Sequence, residues 1–194
     1  MNNSKFVVVA IGASAGGPKA LVSVLSKLPL TLPVAIVLCQ HMPDGFTKAL
    51  AERLADVSDF KVREACDGSV LRAGEALVAP GGYNITISAG GRVNLQRANQ
   101  GPSPSIDVMM KSVAHAYGAR TIGVLLTGML RDGVQGMKAI KNRGGVTIVQ
   151  DEASSVVYGM PKAALEAGAA DIVANISEIP QRIATAVPEV LSGG

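Results

Sequence analysis

The chain has 194 residues, a formal net charge of +3, and hydrophobic residues at 48%. That length and apolar content suit one compact domain with a single sizeable core and argue against disorder. With no Trp, three Phe and three Tyr, and no Lys/Arg block, it lacks the stacking platforms and basic stripe of a nucleic-acid binder, so no nucleic-acid partner is expected.

The first residues, Met1–Lys5, contain no apolar signal region, and no apolar run approaches membrane-spanning length. Cys39 lies inside an apolar run and Cys66 stands far from it, with no CxxC spacing. A reducing, cytoplasmic compartment and a chain not embedded in a membrane are therefore expected.

In chain order, Phe6–Ile11 is a β-branched run that predicts a strand, bounded by Gly12. Lys19–Lys27 has helical spacing. Val34–Cys39 reads as a second buried strand, and Phe46–Val57 as an amphipathic helix. Continuous apolar strands between helices indicate a parallel sheet covered on both faces. The middle is different: Lys61–Ala65, Glu75–Ala79, Tyr83–Ser88 and Arg92–Gln96 are short and closely spaced. Of these, Tyr83–Gln96 predicts a β-hairpin. Asn99–Pro104 is a loop, and Ser105 a candidate N-cap for a helix over Ile106–Tyr117.

The βα rhythm then returns. Strands are predicted at Thr121–Leu126, Val146–Val149 and Asp171–Ala174, and helices at Val134–Asn142, Pro161–Glu166 and Ile179–Val187. The fold class expected is a doubly wound, Rossmann-like α/β domain with helices on both faces of a mainly parallel sheet and an inserted antiparallel hairpin.

Gly12-Ala13-Ser14-Ala15-Gly16 matches G-x-S-x-G between a strand and a helix. Small flanking residues permit a sharp turn that lifts the hydroxyl above the sheet, beside the free N–H groups of the helix start. Ser14 is thus a candidate nucleophile, although a Gly-rich turn after a first strand is also how many folds hold phosphate. His41 follows the second strand and is either the base such a serine needs or a loop residue capping a turn. His115, inside a helix, reads as a surface or packing residue. Asp132 follows the strand at Thr121–Leu126. It is either a helix N-cap or turn residue before Gly133, or the carboxylate that accepts the Nδ1–H of His41. All three stand beyond the C-terminal ends of strands, the edge where open α/β sheets bind ligands. Their order, Ser…His…Asp, differs from the Ser…Asp/Glu…His of ordinary α/β-hydrolases. The two histidines and two cysteines form no recognisable metal-ligand set.

With these segments in hand, the chain resembles the catalytic domain of the chemotaxis protein-glutamate methylesterases, collinearly over about residues 6–187. The likeness rests on Gly12–Leu21 (GASAGGPKAL), Gln40–Leu54 (QHMPDGFTKALAERL) and Leu125–Gly133 (LLTGMLRDG). It extends to Ala79–Asn84 (APGGYN), Gln150–Ala164 (QDEASSVVYGMPKAA) and Gly168–Asp171 (GAAD). The resemblance implies a Ser14–His41–Asp132 triad that hydrolyses glutamate γ-methyl esters on the cytoplasmic helices of chemoreceptors, with deamidation of glutamines as a companion activity. It implies no cofactor and no metal. The Ala15 N–H is the first candidate oxyanion donor, and the region of Met129 a second. Family enzymes commonly carry a receiver domain before the catalytic one. Here the likeness begins within the first ten residues, so a single catalytic domain is expected, either excised from a longer protein or a stand-alone member, with a receiver domain in another chain as a candidate partner and a monomer as the default state. The chain departs from the family at Leu130, where Gly is common, and at Ala15, where some members have Thr. The competing readings are a non-catalytic regulatory or scaffolding domain of the same fold and a small-molecule or nucleotide-binding domain.

Overall fold

The computed structural model describes residues 6–99 and 103–192. Residues 1–5, including the segment read above for a signal region, and residues 100–102 of the predicted Asn99–Pro104 loop lie outside the described residues, as do 193–194.

The sheet is built from apolar runs that bury both faces. β1 (Val7–Ala13) and β2 (Val34–Gln40) are buried at every position. They pair in parallel, with β1 also pairing to β7 (Thr121–Leu125), once β3 (Lys61–Glu64), β4 (Glu75–Val78) and the antiparallel hairpin β5 (Tyr83–Ile87)–β6 (Val93–Arg97) have intervened in sequence. β8 (Val146–Gln150) and β9 (Ile172–Ala174) complete a seven-stranded parallel sheet of order β3-β4-β2-β1-β7-β8-β9.

The strand period of two divides the core. Val7, Val9, Ile11 and Ala13 of β1 face helices α1 (Gly17–Leu25), α2 (Thr47–Ala55) and α6 (Ile179–Ser192). Val8 and Ala10 face α3 (Ile106–Tyr117), α4 (Val134–Asn142), α5 (Met160–Glu166) and the hairpin. Each large aliphatic side chain buried in these layers contributes about 1.5–3 kcal/mol of transfer free energy. Among the described residues, no helix is long and apolar enough to cross a membrane.

The expected doubly wound sheet with an inserted hairpin is what forms. Most element ends fall within two residues of the sequence reading. The difference at α6 has a physical cause. The expected helix ends at Val187, just before Pro188, yet it runs to Ser192, because Val187 and Val190 continue the buried stripe of Ile179 and Ile183. Packing of that face offsets the missing N–H of Pro188. β1 also extends past Gly12 to Ala13, which pairs with Gln40. Ser14 therefore leaves the strand directly into the turn.

The chain leaves β1 through α1 toward β2, and leaves β7 through α4 toward β8 on the opposite face. The crevice at the C-terminal ends of β1 and β7 is consequently the topological switch point of the sheet.

Candidate active site

Ser14 sits on the turn between β1 and α1, and each glycine of its G-x-S-x-G segment has a separate structural reason. A Cβ on Gly12 would overlap Ile106 at the start of α3, so that glycine lets the helix approach the strand end. Gly16 has φ 79°, a left-handed conformation that a side chain disfavours, and caps α1. The Ser14 N–H donates to Thr127 O at 3.0 Å, and its carbonyl accepts from Gly17 N–H at 2.8 Å. The turn is thus fixed to the strand end on the β7 side.

His41 follows β2 directly, and its N–H donates to Ala13 O at 3.0 Å. Its loop is held from the other side, where Met42 N–H donates to Ser103 O at 3.3 Å. The imidazole Nε2 lies 2.8 Å from Asp132 Oδ2, and the two side chains are only 15% and 9% exposed, which shields this contact from water. Here the structure corrects an expectation: Nε2, not Nδ1, faces the carboxylate. Either ring nitrogen can donate, and the one that faces the carboxylate holds the proton. With the proton held on Nε2, Nδ1 is the lone-pair nitrogen available as the base.

Asp132 is the most heavily bonded side chain of the site. Besides His41, Oδ2 accepts the Ile106 N–H at 2.8 Å. Oδ1 accepts the N–H groups of Asp107 and Gly133 at 3.0 and 3.1 Å, and the Ser105 hydroxyl at 3.2 Å. Burial opposes its charge, but the hydrogen bonds from His41 and from the Asp107 and Ile106 N–H groups outweigh it, and its pKa lies below the usual carboxylate value. The position of the anion at the N-terminus of α3 adds the favourable end of the helix dipole. Asp132 thus caps a helix, but that helix is α3 and not the one that follows it, and its carboxylate meets His41 through Nε2. Ser105 caps the same helix as expected, accepting the Val108 N–H.

Two of the three side chains meet. His41 and Asp132 are joined directly, whereas no hydrogen bond links the Ser14 hydroxyl to His41. Contacts of this kind often tighten only when substrate binds. The Ala15 N–H and Met129 N–H, the two candidate oxyanion donors, make no hydrogen bond to an acceptor among the described residues, so neither is committed to one of them. Met129 is exposed at the mouth of the site, and Leu130 beside it is 70% exposed with φ 68°, the one described non-glycine residue in the left-handed region.

Cys39, beneath the site, is not a competing nucleophile. Burial pushes its thiol up, the Asp132 charge adds to the shift, and the thiol stays protonated. His115 lies on the exposed side of α3, beside Arg143, as a surface residue. Among the described residues, no group of three His, Cys, Asp or Glu side chains is placed to hold a metal ion. A cavity of about 210 Å³ lies behind the serine turn, lined by Gly16, Lys19, Thr127, Gln150 and Val156 among others, but by none of the triad.

Sequence reasoning missed three polar residues that shape the site: Gln40, Thr127 and Gln150. Thr127 Oγ1 donates to Ala15 O at 2.8 Å and accepts the Val157 N–H at 2.9 Å, while Thr127 N–H donates to Gln150 Oε1 at 2.8 Å. The signal was present, since each closes or follows an apolar strand at the same sheet edge.

Such an arrangement can carry out acyl transfer. In such a reaction Ser14 Oγ would attack a carbonyl while Nδ1 of His41 took its proton, Asp132 would stabilise the imidazolium, and the two N–H groups would hold the oxyanion.

Comparison with known proteins gives a consistent outcome. The family model described as CheB methylesterase matches residues 9–183. A protein-glutamate methylesterase/protein-glutamine glutaminase of Pyrococcus abyssi is 45% identical over 193 residues, covering 97% of this chain and 52% of the relative. A protein of the same description from Moorella thermoacetica is 49% identical over 186 residues, covering 93% of this chain and 44% of the relative. The chain thus spans about half the length of the curated relatives it matches. The crystal structure of the Thermotoga maritima CheB methylesterase catalytic domain superposes with a TM-score of 0.90 at 38% identity, covering 94% of this chain and all of that one.

Proposed function

The chain belongs to the CheB methylesterase family, and we propose that it is a serine hydrolase that cleaves glutamate γ-methyl esters on other proteins. Ser14 Oγ attacks the ester carbonyl and passes its proton through His41 to the departing methoxide, which leaves as methanol. The resulting γ-glutamyl ester of Ser14 is attacked by water that gives its proton to His41, releasing the free carboxylate and restoring the serine. A glutamine side chain entering the same site would lose ammonia by the same two steps. The relatives' description as protein-glutamate methylesterase/protein-glutamine glutaminase supports both substrates.

The observation that carries this reading is the His41–Asp132 pair, set beside the Ser14 turn at the switch point of the sheet. The protein partners proposed are the cytoplasmic helices of chemoreceptors, and the compartment proposed is the cytoplasm. The test is methanol release from methylated receptor, comparing this chain with Ser14→Ala. Loss of the rate by several orders of magnitude is the expected result. Turnover by Ser14→Ala close to that of the unaltered chain would overturn the assignment.

A further inference from the structure

Gln40 is the last residue of β2, and its side chain is 2% exposed. Its amide nitrogen donates two hydrogen bonds, one to the Ser14 carbonyl at 2.9 Å and one to the His41 carbonyl at 3.1 Å. A single planar group thereby joins the backbone of the proposed nucleophile to that of the proposed base. It does so at the point where the Ser14 hydroxyl and His41 share no direct hydrogen bond.

Two further observations mark the contact as demanding. Among the described residues, Gln40 Oε1 is buried without a hydrogen-bond partner, an arrangement that costs free energy and is rare in folded proteins. A Cβ on Gly17 would overlap that same Oε1, so a residue without a side chain stands where the amide must fit. A glutamine serving only the core would be matched or exceeded by an apolar residue, because both ends of the amide would otherwise need partners. The orphaned oxygen is tolerated here because the nitrogen end sets the geometry of two loops at once.

We propose that Gln40 is a positioning residue for the Ser14–His41 pair: its amide holds the two loops at the separation that lets His41 take the serine proton. This rests on the hydrolase reading above. Displacing a reacting group by about 1 Å can lower a rate by about 100-fold without altering the chemistry available. Gln40→Met keeps the length and apolar contacts of the side chain and removes the donor.

The test is the second-order rate of Ser14 labelling by a fluorophosphonate, together with kcat and KM for a methyl-ester substrate, all measured well below each variant's melting temperature. Gln40→Met is expected to label about 10–100-fold more slowly, with kcat falling in step and KM holding. Gly17→Ala, which pushes on Oε1 while leaving Gln40 in place, is expected to slow labelling in the same way, and this slowing should largely disappear in the Gln40→Ala background. Thr147→Val is the control for a merely structural role. It removes the buried hydroxyl bonded to Asp171 at 2.8 Å, far from the turn, and should lower the melting temperature with no loss of labelling. Labelling of folded Gln40→Met and Gly17→Ala at the unaltered rate would overturn the positioning role while leaving the hydrolase standing. An unaltered chain that does not label at Ser14 would remove the hydrolase reading and this inference together.

Discussion

Asp132 and Asp107 tie two helices to each other through their carboxylates. Asp132, just before α4, accepts the N–H groups of Ile106 and Asp107 at the start of α3. Asp107 in turn accepts the Gly136 N–H in the first turn of α4 at 2.7 Å. Each carboxylate satisfies donors that a helix start leaves unpaired. The orientation of the group that holds His41 is therefore set by the start of α3 together with its own loop, which the Asp107–Gly136 bond ties to α3.

That coupling predicts a double effect for Asp132→Asn. The amide would present an N–H where the carboxylate accepts one, turning the His41 proton toward Nδ1 and disabling the base. A loss of about 10³–10⁴ in kcat is expected. The α3 N–H groups would also lose an anionic acceptor, destabilising the fold by about 1–3 kcal/mol. Turnover measured beside urea melts checks both, and a change in one without the other would show that the carboxylate does not unite the two roles.

The two acids are expected to bend the pH dependence of stability in opposite directions. Asp132 titrates below the ordinary carboxylate range in the fold, so its contribution is fully present above the unfolded value of about 3.9 and is lost as pH falls through the folded one. Asp107 is pushed upward by burial, with the Asp132 charge adding to the effect. Its contribution is present below the unfolded value and is lost as pH rises through the folded one. Asp107→Asn keeps an oxygen for the Gly136 N–H and removes the buried charge. The variant should unfold at higher urea than the parent at pH 7, with the difference shrinking toward pH 4. A difference that grows on acidification would contradict this.

The strands, the hairpin and the placement of Ser14, His41 and Asp132 at one sheet edge were legible because they rest on local signals: apolar runs, turn glycines, and polar residues just past strand ends. What was not legible depends on contacts between distant segments. The choice of Nε2 over Nδ1 depends on where Asp132 lies relative to the imidazole, a contact between segments 91 residues apart. That Asp132 caps α3 requires the β1–β7 neighbourhood, which no spacing reveals. Gln40 reads in sequence as a polar residue ending a strand, which ordinarily faces water. Only the pairing of Ala13 with Gln40 places its amide between two loops. Pro188 stayed inside α6 because a buried face outweighed a local stop signal.

Leu130 carries a backbone cost that glycine would not. At φ 68° and 70% exposed, its side chain gains little packing to offset a left-handed conformation that costs about 1–2 kcal/mol for a residue with a Cβ. Glycine brings its own entropic penalty of about 0.5–1 kcal/mol in the unfolded chain. Leu130→Gly should therefore stabilise the fold modestly, by up to about 1 kcal/mol, read as a rise in the denaturation midpoint. A fall of that size would mean that Leu130 makes a compensating contact. Any change in KM for a bulky protein substrate, set against a small ester, would then report whether the side chain screens the mouth of the site.

Gly128 tests how closely the loop after β7 must approach the nucleophile. A Cβ there would overlap Met160 Sδ and come within 2.7 Å of Ser14 Cβ, while the Gly128 carbonyl accepts N–H groups from Gly159 and Met160 that pin the loop in place. The loop cannot simply withdraw, so the side chain of Gly128→Ala must push Ser14 or Met160 aside. Misplacement of a nucleophile on this scale lowers a rate by about 100-fold. Gly128→Ala is expected to lose about that much in both ester turnover and fluorophosphonate labelling. Pairing it with Met160→Ala, which vacates the Sδ position, separates the two contacts. Recovery of labelling would assign the loss to Met160, and continued slow labelling would assign it to the Ser14 side of the glycine.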